Sequence, residues 1–242
     1  MGMGESYRLA LRLAQEELRR AGPDELKRRC LRCGAVLRAG QSAYVVELAY
    51  LGRPYFVSHP QAEVVAGADG SRAAPLWLQI ILLHYLNGPA TATGSFPAPV
   101  GGLQIRGAGA DLDREELVPF RDLSGGRVYL PNFEKRVLRR LVKQFGGDPA
   151  SLLQAGQVVG GKVAAFGDAG VQIPVLPRIP LTFIVWGEDE EFPAQANVLF
   201  PAGIEGYLCT EDVIVLCEQV ATELIGTARR SEDGAQTHFG GR

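Results

Sequence analysis

KVAAFGDAGVQIPVLPRIPLTFIVW, residues 162–186, is the stretch on which the fold class turns. Gly167-Asp168-Ala169-Gly170 separates two apolar runs, so Lys162 to Val175 reads as a β-hairpin. Leu181 to Trp186 reads as the next strand, and Asn197 to Phe200 adds a further short one. Beyond them Thr210 to Ile225 is helical, because Val213, Leu216, Val220 and Leu224 fall on one face. Everything after Gly226 reads as a flexible tail.

Upstream of the hairpin, Pro149 to Gln154 reads as a short helix. Asn132 to Phe145 reads as a longer one, with Asn132 as its N-cap, Phe133, Val137, Leu138 and Leu141 apolar, and basic residues coating its other face. Pro75 to Asn87 is an apolar helix ended by Asn87-Gly88-Pro89. The Gly/Pro/Ala/Thr segment from Gly88 to Gly109 reads as a long loop, of the kind that serves as a lid. Ser42 to Val65 is rich in Tyr, Val and Phe, with Gly52-Arg53-Pro54 as a turn, which predicts a hairpin and a third short strand. At the start, Glu5 to Ala21 and Pro23 to Leu31 read as helices, with Gly34 as a C-cap.

Hairpins mixed with helices that do not alternate with strands argue for an α+β fold, a mixed or antiparallel sheet packed by about five helices. We expect a single domain over 1–225, with its helical part at 5–33 and a tail at 226–242.

The totals agree with a globular chain. Of 242 residues, 46% are apolar, and 25 basic residues face 27 acidic ones, which excludes collagen-like and disordered classes. A net charge of −2 lacks the broad cationic field of non-specific nucleic-acid binding, so no nucleic acid is expected as a partner. Between Ala73 and Ile105 there is no charged side chain, but the continuous apolar part runs only from Pro75 to Leu86, too short to span a membrane. Arg8 and Arg12 interrupt the apolar start, so a cytoplasmic location with four reduced cysteines is expected. The oligomeric state stays open.

Charge is segregated along the chain. From Phe183 to Ile225 there are nine acids and no Lys or Arg, whereas Arg114 to Lys143 holds eight bases and four acids. Such segments either pair within the fold or present separate faces to partners.

The run PLTFIVWGEDEEFPAQANVLFPAGIEGY, Pro180 to Tyr207, followed by TEDVIVL, resembles the bacterial and archaeal family called domain of unknown function 3786. ILLHYLNG at Ile81 to Gly88, FRDLSGG from Phe120, and FEKRVLRRLVKQFG ending at Gly146 resemble the same family, so the likeness covers roughly Asp24 to Ile225. Family members occur mainly in anaerobes, and some carry a fused four-cysteine iron–sulfur domain. The resemblance therefore implies a setting in anaerobic redox or one-carbon metabolism. This chain departs from the pattern at Pro201, where members often have Asp, and at Cys209, where they often have Pro. Its few cysteines do not form the clustered iron–sulfur pattern.

Several residues are candidates for chemistry. Glu188-Asp189-Glu190-Glu191 leaves the apolar strand before Phe192-Pro193, a place from which carboxylates can enter a cleft. In extended backbone at most two of the four converge. Two convergent carboxylates bind a hard cation or divide into acid and base. Asp189 with Glu190 or Glu191 is the candidate catalytic pair, and Asp189 and Glu191 are candidate metal ligands. A solvated acidic turn is the plain alternative. Glu211 and Asp212 suit the first turn of a helix capped by Thr210.

Cys30-Leu31-Arg32-Cys33 is a CxxC pair, either half of a metal site completed by Cys209 and one more ligand, or incidental thiols. It closes a helix, where a thioredoxin-like motif would open one. His84 lies on the most apolar helix, either as a core residue or as a metal or tetrapyrrole ligand. Trp186, Phe192 and Tyr207 would wall an apolar cofactor pocket. No glycine loop fits a nucleotide motif, and there is no G-x-S-x-G elbow, so no nucleotide is expected.

Three readings follow. The first is an accessory protein that binds a metal or a metallocofactor of corrinoid or haem type. The second is an acid/base enzyme using the carboxylate run. The third is a docking module for an iron–sulfur or corrinoid redox protein.

Overall fold

The computed structural model describes residues 3–40, 43–67, 72–88 and 116–239. The fold is α+β, with two five-stranded antiparallel sheets. The residues pack into two compact units. The first comprises Met1–Glu116, Leu176–Arg178 and Ala202–Cys209; the second comprises Leu117–Val175, Ile179–Pro201 and Thr210–Arg242. Beyond Gly88, the lid expected up to Gly109 lies outside the described residues. Among the described residues no helix is long and apolar enough to cross a membrane.

In the first unit, helices α1 (Met3–Arg19) and α2 (Pro23–Cys33) lead into a meander of β1 (Val36–Ala39), β2 (Tyr44–Tyr50), β3 (Arg53–His59), β4 (Val64–Ala66) and β5 (Arg72–Ala73), paired in chain order. Pro23 opens α2, and Gly34 closes it at φ 66° with its N–H on the carbonyls of Cys30 and Leu31. The β2–β3 turn is Leu51-Gly52, not the expected Gly52-Arg53-Pro54. Tyr50 pairs with Arg53, and both turn residues have positive φ, the conformation of a two-residue hairpin loop. Val46, Leu48 and Tyr50 alternate inward against Tyr55, Val57 and His59. Helix α3 (Leu76–Asn87) is apolar on every side. It is correspondingly buried, with Leu78, Ile81, Leu82, Leu83 and Tyr85 all in the core, and it packs against α1 and α2.

In the second unit the sheet order is β6 (Leu117–Pro119), β10 (Gln195–Pro201), β9 (Ile179–Trp186), β8 (Ala169–Leu176) and β7 (Lys162–Val163). The expected hairpin is β7–β8, with Lys162 opposite Gln172 and Val163 opposite Val171. Strand β9 sits at the centre and is buried on both faces from Ile179 to Val185, emerging only at Trp186. Each large apolar side chain so buried contributes about 1.5–3 kcal/mol.

Helices α4 (Gly126–Phe133) and α5 (Arg139–Phe145) form one run joined by a π-helical turn at Glu134–Leu138. Asn132 is therefore inside a helix and not its N-cap, and Gly125 at φ 71° precedes the start instead. Phe120, Phe133 and Phe200 form a buried aromatic cluster, with Phe120 and Phe133 stacked at 4.1 Å between ring centroids. Helix α6 (Pro149–Val158) is a turn longer than its sequence suggests. Helix α7 (Thr210–Phe239) runs through Gly226 without a break. The Thr210 hydroxyl donates to the Ser124 carbonyl, and Tyr129 donates to Glu211.

Candidate functional site

The acidic run begins where β9 emerges, and its backbone is tied down by five hydrogen bonds. Asp168, in the β7–β8 connection, accepts the Gly187 N–H through Oδ2 at 2.8 Å. Glu188 N–H donates to the Gly146 carbonyl at 3.3 Å, beyond the end of α5, and Asp189 N–H donates to the Phe192 carbonyl at 3.0 Å. Asp189 then closes the turn on itself, its Oδ1 accepting the N–H groups of Glu191 at 2.8 Å and Phe192 at 2.7 Å. An aspartate that bonds its own backbone two and three residues ahead is a turn former. One oxygen of this carboxylate is thus engaged by the loop's own amides.

Glu188, Asp189, Glu190 and Glu191 are all exposed. Two large apolar side chains flank them. Trp186 is 39% and Phe192 60% accessible, and Phe166, in the β7–β8 connection, is 41%. Trp186 lies over that connection, since a β-carbon on Gly167 would come within 3.3 Å of its indole ring. Isolated exposed apolar residues are ordinary, but aromatics flanking four consecutive charges are the makings of a contact patch.

The other expected site residues belong to the first unit. Cys30 and Cys33 are buried on α2. Cys33 Sγ donates to the Tyr85 carbonyl at 3.0 Å, and the buried Tyr85 hydroxyl donates back to the Cys33 carbonyl at 2.7 Å while accepting the Arg178 N–H at 3.0 Å. Tyr207 stacks on Tyr85 at 5.4 Å, and Arg32 donates to the Leu86 carbonyl at the end of α3. Burial, with Cys33 alongside, pushes the Cys30 thiol up to about 11. Burial also raises Cys33, outweighing the lowering by Arg32 and the other nearby arginines. Metal ligation needs the thiolate, which burial opposes. His84 is half-buried on α3. Cys209 is exposed, and Cys217 is buried in α7 of the second unit, where burial raises it as well. Among the described residues no three His, Cys, Asp or Glu side chains come together as metal ligands.

Residues 105–223 match the family Domain of unknown function (DUF3786). The DUF3786 match takes in β6 to β10, the α4–α5 helical run, the acidic loop and the first half of α7, as far as Glu223. Cys30, Cys33 and His84, and with them the ILLHYLNG segment, lie outside it. No curated protein and no solved structure matches the chain.

Asp189, Glu190, Glu191 and Phe192 therefore share one loop in the matched region, with Trp186 at the strand end that opens it, and Tyr207, His84, Cys30 and Cys33 belong to the first unit. Sequence reading missed Asp168 and Phe166. Asp168 sits in the Gly167-Asp168 turn it had recognised and Phe166 just before that turn, but nothing local shows that the turn underlies a strand end 19 residues later.

Proposed function

We propose that the protein is a cytoplasmic docking module whose acidic, aromatic-flanked loop binds a basic partner protein. The observation that carries this reading is the loop itself. Four exposed acids sit on a backbone tied to Asp168, Gly146 and Asp189, with Trp186 and Phe192 at either end. A pre-formed loop loses little conformational entropy on binding. Exposed aromatics at a charged rim are the usual anchors of such contacts. An acid/base pair or a metal site would instead need carboxylates converging in a cleft, and these four point into solvent-exposed positions along a turn. The resemblance to DUF3786, with its iron–sulfur fusions, supports an iron–sulfur redox protein as the class of partner. Four cysteines outside any disulfide, three of them buried, suit a reducing compartment.

The test compares wild type with Phe192→Ala and with the Glu188→Gln/Glu190→Gln/Glu191→Gln triple variant. All three are used first to capture proteins from an anaerobic extract, then titrated against the purified basic species identified. We expect wild-type binding that weakens from 50 to 300 mM salt, on the order of the screening change, a Kd about 30-fold weaker for Phe192→Ala, and a flattened salt dependence in the triple variant. Equal binding by all three proteins would sink the proposal.

A further inference from the structure

A second charged feature of the same unit lies in different residues and does not depend on the docking reading. Helices α5 and α7 pack together, and between them is a groove of about 220 Å³ lined by Arg140, Lys143, Gln144, Ile225 and Arg229. Three of these five are cations, and none is a carboxylate.

Neutral groups hold both guanidiniums in place. Arg229 Nε donates to Gln144 Oε1 at 3.1 Å, and Arg140 Nη2 donates to the Thr222 hydroxyl at 2.9 Å and Nη1 to the Arg136 carbonyl at 3.5 Å. The nearby acid, Glu218, is hydrogen-bonded to Arg136 and also forms an ion pair with Arg140, 3.9 Å from its Nη1. Lys143 is exposed, and Ile225, 8% accessible, gives the groove an apolar wall. A guanidinium oriented by a neutral acceptor, as Arg229 is by Gln144, keeps its full charge and further N–H donors for a ligand, while Arg140 shares the single carboxylate of Glu218 with Arg136.

We propose that this groove is a binding site for a small phosphate-class oxyanion, a phosphoryl group alone or on a short carbon chain. Two guanidiniums and an ammonium match a multiply charged tetrahedral oxyanion better than a single carboxylate. The volume suits a phosphoryl group with a few attached carbons against Ile225, and falls short of the roughly 300–1,000 Å³ of pockets for larger ligands.

Inorganic pyrophosphate is the probe, titrated calorimetrically at constant ionic strength into wild type and the Lys143→Gln/Arg229→Gln variant. The Ile225 δ-methyl resonance is followed as a reporter of place. Both substituted side chains are exposed, so an unchanged circular dichroism spectrum is expected and checked. Saturable wild-type binding that shifts the Ile225 resonance, and is about tenfold or more weaker in the variant, is the expected result. Absence of saturable binding overturns the proposal, and so does equal binding by the variant. Binding of heparin or anionic vesicles through these residues without saturable pyrophosphate binding also overturns it, in favour of a polyanion surface. The triple glutamine variant of the acidic loop is expected to bind pyrophosphate as wild type does, so this site and the docking reading stand or fall separately.

Discussion

Gly156→Ala tests how tightly α6 is pressed onto the second sheet. A β-carbon at position 156 would lie 2.3 Å from Val171 Cγ2 and 3.0 Å from both Val171 Cβ and Cγ1. Ordinary carbon contacts are about 3.5–4.0 Å, so the nearest atom is about 1.2 Å too close. Val171 is fully buried on β8, and its β-branched side chain has little rotamer freedom with which to retreat. Overpacking of this kind costs about 1–3 kcal/mol, and the upper half of that range applies here. Replacing glycine by alanine in a helix returns about 1 kcal/mol. The net expectation is a loss of about 1–2 kcal/mol, or a fall of roughly 2–8 °C in Tm for a chain of this length. Val171→Ala alone costs about 2 kcal/mol through the cavity it leaves. In the double variant the new methyl occupies part of that cavity, so the two changes couple favourably by about 1 kcal/mol or more. The protein has two tryptophans, Trp77 in the first unit and Trp186 in the second. A Trp77→Phe background therefore lets urea unfolding be read from the second unit by Trp186 fluorescence. If Gly156→Ala is as stable as its parent, or the cycle is additive, the close approach of α6 to β8 is refuted.

In the first unit, Tyr85→Phe strands the buried Cys33 carbonyl and the Arg178 N–H, and we expect a loss of about 2 kcal/mol in urea unfolding followed at Trp77. Unchanged stability would mean those two hydrogen bonds contribute nothing. Iodoacetamide at pH 8, read by mass spectrometry, is expected to label exposed Cys209 well before Cys30, Cys33 or Cys217. The Cys30 thiol is raised from its ordinary 9.0 to about 11, so its neutral form is favoured in the folded state. The stability this contributes is complete below pH 9.0 and is lost as pH rises toward about 11, so unfolding should become easier across that window. Labelling of Cys30 as fast as Cys209 at pH 8 would contradict its burial.

The elements legible in the sequence were those set by local chemistry. The β7–β8 hairpin follows from Gly167-Asp168, the end of α2 from Gly34, and the burial of α3 from an unbroken apolar run. Long-range pairing was not legible. Strand β6 is three residues long and pairs with β10, Val118 opposite Phe200, across more than 80 residues of chain. Nothing in LVP alone predicts that neighbour. Asn132 carries the signal of a helix N-cap, yet the left-handed Gly125 has already begun the helix and a π-helical turn follows at Glu134. Gly226 reads as a stop, but glycine within a helix costs only about 1 kcal/mol, which the buried face of α7 outweighs. That single misreading hid the cationic groove, because it placed Arg229 in a tail when it stands one helical turn beyond Ile225.

The acidic run shows the same division. Its composition is plain in the sequence, but its placement depends on a glycine elsewhere. Glu188 is anchored to the carbonyl of Gly146, two residues beyond Gln144 of the groove. A β-carbon at 146 would fall 2.6 Å from the Val142 carbonyl oxygen and 2.7 Å from Ala194 Cβ. Neither neighbour can give way cheaply, since one is helix backbone and the other follows the loop into β10. Only a residue without a side chain lets the end of α5 approach the loop closely enough to hold it. In the docking role proposed above, charge supplies the attraction, while Gly146, Asp168 and Asp189 supply the fixed backbone on which that charge sits. A count of acids finds the first of these and is blind to the second.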